Sequence, residues 1–329
     1  MLKLILWCAL TSFIFAFILG CIIIPLLKKK RAGQTVLKYV KQHKNKNGTP
    51  TMGGLFFIPA SVIIYLVFCG FSNRIANAVI SIGLAYLCVG FLDDFIKIKF
   101  LRNEGLKAYQ KIIFQSGIAL LAGLFCYFNG LTVAYIPLVK KTVNFGVWII
   151  PFAFFIFIAI TNSVNLTDGI DSLASTTSIT YLLFLAILIC LEKNNFSYLY
   201  IEEKEYDSLI LFCASLIGAI LGFLIFNAPK AKVFMGDTGS LSLGGFIGAV
   251  SIFSSNTLFI PIIGICFLIS SLSVIIQVIY FKATKGKRVF LMSPYHHHLQ
   301  MKGYSETQIS LYYSIITCIM GVLSIISYS

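Results

Sequence analysis

The sequence predicts an all-α polytopic membrane protein with about ten transmembrane helices. Of its 329 residues, 58% are hydrophobic and only 12% are charged, and the mean hydropathy is +0.90. The apolar residues are gathered into long runs, and most of the basic residues flank those runs. No soluble domain of this size could cover so much apolar surface, so most of the chain is expected in lipid.

Ten apolar segments are each long enough to cross the hydrocarbon core as a helix. They lie at residues 4–27, 53–72, 75–93, 112–129, 146–163, 172–191, 208–227, 239–257, 259–281 and 309–327. The first is too long for the apolar core of a signal peptide and is expected to be retained. The sequence contains no linker or repeat, so we expect one membrane domain over residues 1–329.

The basic residues predict the orientation of these helices. When the loops after the odd-numbered segments face the cytoplasm, 20 of the 26 Lys and Arg residues lie on that side. Because cytoplasmic loops are enriched in basic residues, both termini are predicted to be external. The same placement explains the net charge of +14 without a nucleic acid partner.

The acidic residues divide into two groups. Five share one loop on the external side, where a solvated connection explains them: Glu192, Glu202, Glu203, Glu205 and Asp207. The other seven lie on the cytoplasmic side: Asp93, Asp94, Glu104, Asp168, Asp171, Asp237 and Glu306. Asp93 and Asp94 follow directly on an uncharged run, and ionisable groups at such a position indicate function. We therefore predict the active site on the cytoplasmic face.

Aspartates at the ends of membrane segments favour a hard cation such as Mg²⁺, which binds few carboxylates and keeps substrate phosphates as ligands. Such an ion neutralises charge during phosphoryl transfer. Asp237 also opens a predicted helix, whose free N–H groups suit a phosphate. Simpler interpretations remain open, because Asp168 and Asp171 could be helix caps and Gly53-Gly54 could serve helix packing. Three consecutive histidines could bind Zn²⁺, but no complete ligand set accompanies them.

Six motifs lie in order along the chain. They are 48–54 (GTPTMGG), 91–97 (FLDDFIK), Gly105-Leu106 with Lys111 and Gln115, 165–171 (NLTDGID), 232–240 (KVFMGDTGS) and 292–298 (MSPYHHH). With these motifs the sequence resembles the phospho-N-acetylmuramoyl-pentapeptide-transferase (MraY) family, within the polyprenyl-phosphate N-acetylhexosamine-1-phosphate transferases. The resemblance covers nearly the whole chain.

The resemblance implies a transferase of the bacterial inner membrane that takes part in peptidoglycan synthesis. Its substrates would be UDP-MurNAc-pentapeptide and undecaprenyl phosphate, its cofactor Mg²⁺, and its products lipid I and UMP. It also implies a homodimer. Direct displacement by the lipid phosphate is favoured over a covalent aspartyl intermediate, because that phosphate is already an anionic nucleophile that needs mainly positioning.

The resemblance also implies roles for individual residues. Asp237 would be the principal Mg²⁺ ligand, and Asp93 and Asp94 are further candidate ligands. Asp93 would deprotonate or orient the lipid phosphate with support from Asp94, and His296 would act on the phosphate and sugar side. The residues implied to bind substrate are Lys46, Thr51, Lys97, Lys111, Asn165, Asp168, Gly169, Asp171, Phe234, His297 and His298.

The chain departs from the family pattern at three places. Ser172 stands where glycine is common, Leu299-Gln300 where Phe-Glu is common, and residues 310–313 lack a common arginine. Two alternative functions stay open. A sister transferase would pass GlcNAc-1-phosphate to a prenyl phosphate, but it usually carries arginine in the first motif. An ion-coupled transporter would place its charges near the bilayer midplane, whereas these lie at segment ends.

Overall fold

The computed structural model describes residues 1–29, 48–100 and 105–328, except the side chains of residues 194–200. The described residues form twelve α-helices, two 3-10 helices (Gly146–Trp148 and Thr257–Phe259) and one short β-hairpin. The helices are α1 (Leu2–Lys29), α2 (Gly54–Cys69), α3 (Arg74–Lys99), α4 (Ala108–Phe128), α5 (Ile149–Thr167), α6 (Leu173–Tyr200), α7 (Glu203–Asn227), α8 (Gly236–Phe253), α9 (Ile260–Ile263), α10 (Ile265–Ala283), α11 (Tyr295–Met301) and α12 (Glu306–Tyr328). The prediction of a mainly helical polytopic membrane protein is confirmed.

Each predicted apolar segment coincides with a helix, but the helices differ in length. Eight of those described are long and apolar enough to cross a membrane: α1, α3, α4, α5, α6, α7, α10 and α12. Helix α2 has 16 residues and reaches about 24 Å, which is shorter than a hydrocarbon core of about 30 Å. The ninth predicted segment is divided at Gly264 into α9 and α10.

Helix α8 lies at the centre of the bundle. Residues 238–253 are all buried, because α3 and α5 pack along α8 and α2 also contacts it. Its glycines and small polar residues allow this close packing. Around this centre, α1 and α6 pack on α7, α4 packs on α5, and α12 packs on α6. The packing therefore brings the beginning of α8 beside the last turns of α3.

A β-hairpin that the sequence analysis did not predict joins α4 to α5. Strands β1 (Val133–Ile136) and β2 (Lys141–Asn144) pair antiparallel, with Val133 opposite Asn144. Tyr135 N–H donates to the carbonyl of Ser255 at 2.9 Å. This bond ties the hairpin to the connection between α8 and α9.

The prediction that all five acidic residues between α6 and α7 are solvated is wrong for two of them. Glu192 is buried and accepts hydrogen bonds from Asn256 Nδ2 at 2.8 Å and from the Tyr206 hydroxyl at 3.3 Å. Glu205 is also buried, and its carboxylate accepts the backbone N–H groups of Arg74 and Ile75 at 3.2 Å each. These N–H groups begin α3 and have no partner within the helix, so Glu205 satisfies them.

Candidate functional site

Three carboxylates that are distant in sequence meet where α3 ends and α8 begins. Asp93 and Asp94 occupy the last two turns of α3, and Asp237 lies in the first turn of α8. One oxygen from each carboxylate lies within 4.8 Å of the others. Asp93 is 3% exposed and Asp94 is fully buried. Burial of carboxylates is costly without compensating contacts, so their partners determine what this cluster can do.

Asp94 is bound to the first turn of α8. Its Oδ2 accepts the backbone N–H of Thr238 at 3.0 Å and the Thr238 hydroxyl at 2.7 Å. A negative charge is favourable at a helix N-terminus because the free N–H groups there carry partial positive charge. Asp94 therefore fixes α3 against α8 and compensates for its own burial.

Asp93 and Asp237 face the basic residues of the site. Asp93 Oδ2 lies 2.6 Å from Lys97 Nζ, and its Oδ1 accepts the backbone N–H of Leu106 at 2.9 Å. Asp237 Oδ2 lies 3.1 Å from Lys97 Nζ and 2.8 Å from Lys111 Nζ. Asp237 is thus the carboxylate that both lysines share.

Asn165 orients the other oxygen of Asp237. Asn165 Nδ2 donates to Asp237 Oδ1 at 2.6 Å and to Ser240 Oγ at 2.8 Å. Ser240 in turn donates to the carbonyl of Gly236 at 2.9 Å. These bonds hold the end of α5 against the first turn of α8, so three helices and the start of α4 supply the cluster.

A glycine makes the approach of α3 to α8 possible. A Cβ added at Gly90 would lie 2.1 Å from the carbonyl oxygen of Asp237, far inside van der Waals contact. Gly90 lies one turn before Asp93 and Asp94, so the backbones touch where the carboxylates must meet. A side chain at this position would force the two halves of the cluster apart.

The residues of this cluster fit a hard divalent cation. The ligand atoms are carboxylate oxygens, which Mg²⁺ prefers, and no sulfur or imidazole atom joins them among the described residues. Lys97 Nζ lies 2.6 Å from Asp93, 3.1 Å from Asp237 and 3.7 Å from Asp94. The arrangement therefore already concentrates negative charge around one positively charged group.

The histidines of α11 reach the turn between α5 and α6. A Cβ at Gly169 would lie 2.2 Å from His296 Nε2 and 3.1 Å from His297 Nε2, so only glycine leaves room for the rings. His296 is fully buried, and neither of its ring nitrogens has a hydrogen-bond partner among the described residues. Burial and the neighbouring His297 lower the pKa of His296 well below its ordinary value, so this imidazole is neutral at physiological pH.

Asp168 lies next to Gly169, in the turn that the histidines reach. Burial, together with the charges of Asp237 and Asp94, raises the pKa of Asp168 well above that of an ordinary aspartate. The backbone of Gly236 hydrogen-bonds to its carboxyl group. A carboxyl group whose pKa is raised by burial and by neighbouring charges is typical of a functional site.

Other sequence-predicted residues lie at the margins of this site. The buried hydroxyl of Thr51 lies beside Gly236. The backbone of Phe234 pairs with Pro50 and Gly53. The Asp171 carboxylate accepts the backbone N–H of Ala231 at 3.0 Å. His298 Nδ1 accepts the N–H of Leu291 at 3.2 Å. Lys46 lies outside the described residues.

The sequence analysis did not select Thr238 and Ser240 as site residues, although both lie in the 232–240 motif. Thr238 bonds Asp94, and Ser240 bonds Asn165. A hydroxyl one and three positions after an aspartate at a helix start is also the ordinary pattern of helix capping. Helix capping was therefore a sufficient explanation of these two hydroxyls, and no separate feature of the sequence indicated a role in the site.

The sequence is similar to known proteins over nearly its whole length. A family model described as glycosyl transferase family 4 matches residues 75–255, more than half of the chain. A model described as phospho-N-acetylmuramoyl-pentapeptide-transferase signature 1 matches residues 46–58. The phospho-N-acetylmuramoyl-pentapeptide-transferase of Clostridium novyi is 41% identical, over 99% of this chain and 98% of its own. The chain belongs to the phospho-N-acetylmuramoyl-pentapeptide-transferase family.

Further members of the family are similarly close over their whole length. The phospho-N-acetylmuramoyl-pentapeptide-transferase of Clostridioides difficile is 42% identical over 97% of this chain and 96% of its own. That of Caldanaerobacter subterraneus is 38% identical and covers 100% of both chains. The transferase family model includes the whole carboxylate cluster but ends before the histidines of α11. The predicted family is confirmed.

Proposed function

We propose that this chain transfers phospho-N-acetylmuramoyl-pentapeptide from UDP-MurNAc-pentapeptide to undecaprenyl phosphate. The products are lipid I and UMP, and the reaction is the first membrane step of peptidoglycan synthesis. One observation carries the proposal: in a chain of this family, Asp93, Asp94 and Asp237 meet at the ends of membrane helices, with Lys97 and Lys111 beside them. Such a site can receive one substrate from the bilayer and the other from water.

In the proposed reaction, an oxygen of the lipid phosphate attacks the β-phosphorus of the UDP-sugar. A new P–O bond forms, the bond from that phosphorus to the bridging oxygen breaks, and UMP leaves with the bridging oxygen. Asp93 orients the lipid phosphate or accepts its proton. Its Oδ2 is already within 2.6 Å of an ammonium group, which holds the carboxylate in a fixed direction.

Lys97 and Lys111 exchange their carboxylate contacts for oxygens of the pyrophosphate. Both ammonium groups meet at Asp237 Oδ2, at 3.1 and 2.8 Å, so they converge on one small volume. Positioned positive charge is the main requirement of phosphoryl transfer, because charge spreads over the phosphoryl oxygens in the transition state. The proposed roles of Asn165, Asp168, Gly169, Asp171 and Phe234, at the uridine end, complete the donor site.

Asp237, with Asp93 and Asp94, would hold Mg²⁺. When bound, the ion neutralises negative charge on the pyrophosphate. Asn165 contributes by fixing Asp237 Oδ1 at 2.6 Å, and Thr238 by fixing Asp94 Oδ2 at 2.7 Å. Each of these two carboxylates therefore has its second oxygen directed into the cluster.

The proposal includes the arrangement in the membrane. The ten helices that match the predicted segments, α1–α8, α10 and α12, would span or line the bilayer of the bacterial inner membrane, with both termini external and the carboxylate cluster at the cytoplasmic surface. The active unit would be a homodimer. The basic residues near Asp93 and Asp237 support the cytoplasmic placement, because basic residues favour that side.

The test is release of UMP from UDP-MurNAc-pentapeptide by the purified chain in detergent. We expect release that requires both undecaprenyl phosphate and Mg²⁺, and a lipid-linked product that contains the sugar. UDP-GlcNAc in place of the donor serves as the control. Turnover of UDP-GlcNAc without turnover of UDP-MurNAc-pentapeptide would instead assign the chain to GlcNAc-1-phosphate transfer.

A further inference from the structure

A chain of hydrogen bonds connects α11, α12 and the turn between α5 and α6. The backbone N–H of Asp171 donates to Glu306 Oε2 at 3.1 Å. Gln300 Nε2 donates to Glu306 Oε1 at 3.4 Å, and Gln300 Oε1 lies 2.7 Å from His297 Nδ1. Gln300 is only 5% exposed. Neither Gln300 nor Glu306 has a role in the proposed chemistry.

The carboxylate of Glu306 determines which group donates in each of these hydrogen bonds. A carboxylate only accepts hydrogen bonds, so Gln300 must turn its amide NH₂ towards Glu306. The amide oxygen of Gln300 then faces His297. Because an amide oxygen also only accepts, the hydrogen of the neutral ring must be on His297 Nδ1. Reversing the Gln300 amide would place two oxygens against each other in a partly buried position, which is unfavourable.

The other ring nitrogen of His297 is thereby left as an acceptor. Its Nε2 lies on the side of Gly169, where an added Cβ would be 3.1 Å away. This is the side of the α5–α6 turn, which in the proposed function belongs to the sugar-nucleotide site. A donor group of the bound substrate would meet a lone pair there, and not a second N–H.

We propose that Gln300 and Glu306 are positioning residues that fix the tautomer and the orientation of His297. This inference rests on the proposed function, in which His297 would contact the sugar nucleotide, as the family resemblance implies. Glu306 anchors the chain of bonds to the backbone at Asp171, and Gln300 transmits this anchor to the ring. The side chains of α11 and α12 therefore contribute to the substrate site without touching the substrate.

The test exchanges the two functional groups. In Gln300→Glu, two carboxylates face each other across a contact of 3.4 Å and a donor is lost. In Glu306→Gln, one amide oxygen must serve two donors, the Asp171 N–H and the Gln300 amide. We expect each single variant to lower kcat/KM by at least about 10-fold, because a buried group loses its partner.

The double variant restores every bond with the groups exchanged. The carboxylate at position 300 accepts from His297 Nδ1–H and from the new amide at position 306, whose oxygen accepts the Asp171 N–H. We expect kcat/KM of the double variant within about 3-fold of the unchanged chain, a coupling typical of residues in one network. Glu202→Gln, in an exposed external pair with Lys204, is the control and should change nothing measurable.

The pH profile of kcat/KM separates positioning from a structural role. In the double variant the negative charge lies directly at His297 Nδ1, which raises the pKa of that ring. The acid limb should therefore move to higher pH by about 0.5–1 unit. The other titratable residues around this ring are Tyr295, His296, His298 and Lys302 on or next to α11, Glu306 at the start of α12, and Asp168 and Asp171 on the turn. Apart from position 300, only position 306 changes.

Each result decides between outcomes. Fully active single variants, a double variant as defective as the worse single variant, or an unmoved acid limb would overturn the positioning role. An unchanged chain that is inactive on UDP-MurNAc-pentapeptide would overturn the proposed function instead. Thermal unfolding then tests the bonds independently: lowered Tm in both single variants with recovery in the double variant supports the chain of bonds, and additive losses refute it.

Discussion

Gly90→Ala, at the contact between α3 and α8, should lower activity strongly while changing the stability of the fold only slightly. The new Cβ would lie 2.1 Å from the carbonyl oxygen of Asp237, whereas ordinary contact begins at 3.4 Å. The helices must therefore separate locally by about 1.3 Å. The Thr238 N–H bond to Asp94, now 3.0 Å long, would exceed hydrogen-bond length after such a shift.

The stability change is expected to be modest because two effects oppose each other. Overpacking of a tight contact costs about 1–3 kcal/mol, and replacing glycine by alanine within a helix contributes about 1 kcal/mol in the other direction. The net loss of roughly 0–2 kcal/mol leaves the chain folded. Activity responds more strongly, because a misplacement of about 1 Å between catalytic groups can lower a rate by about 10²-fold.

The measurements are Tm in detergent and initial rates of UMP release. Gly117→Ala is the matched control, since Gly117 lies within α4 and an added Cβ meets no atom within 4 Å. We expect normal activity for the control and about 1% of normal activity for Gly90→Ala, with folded protein in both. Full activity in Gly90→Ala would refute the argument that backbone contact sets the spacing of the carboxylates.

Three further predictions concern single residues. Asp237→Asn keeps the size of the side chain but removes the charge that Lys97 and Lys111 share. We expect the rate of UMP release to fall by at least about 10³-fold. A near-normal rate would contradict a metal role for Asp237. Lys97→Gln leaves Asp93, Asp94 and Asp237 without their common cation, so Tm should fall. Added Mg²⁺ should then raise Tm more in this variant than in the unchanged protein, because the ion binds the folded state. An equal rise in Tm in both proteins would count against a metal site here. Glu192→Leu removes the carboxylate that accepts hydrogen bonds from Asn256 and Tyr206. Tm should fall by the equivalent of about 1–3 kcal/mol, while the rate of UMP release at low temperature stays unchanged. An unaltered Tm would show that these two hydrogen bonds do not stabilise the fold.

The sequence predicted the location of the site better than its internal contacts. Apolar runs were sufficient to predict the helices, because a bilayer imposes a minimum apolar length on any spanning segment. Asp93 and Asp237 lie close together because α3 packs on α8 at Gly90, and no local sequence pattern predicts that contact. The hairpin at 133–144 was missed because four-residue strands give little periodic signal.

The burial of Glu192 and Glu205 shows a different failure of the sequence analysis. Charged residues clustered between two apolar runs are usually solvated, and that general tendency suggested a loop. In the structure, α6 continues to Tyr200 and brings Glu192 against Asn256, while Glu205 satisfies the first N–H groups of α3. The requirement to pair backbone groups at a buried helix end was stronger than the tendency of carboxylates to face water.

The departures from the family pattern are physically related to one another. The hydroxyls of Ser172 and Ser310 lie 3.2 Å apart, and both contact the carbonyl of Asp171. Gln300 contacts Glu306, one turn before Ser310 on α12. A change at one of these positions alters the hydrogen bonds available to the others, so they must be interpreted together.

The adjacent aspartates of α3 divide two tasks because consecutive helical residues point in directions about 100° apart. Asp94 points towards α8, where both contacts of its Oδ2 are with Thr238. Asp93 points towards Leu106 and Lys97, on the side where α4 begins. One carboxylate thus fixes the helix that carries Asp237, and its neighbour faces the lysines that would hold phosphate. The two adjacent carboxylates are therefore not equivalent: Asp94 is fixed to α8 through one of its oxygens, and Asp93 faces the lysines of the site.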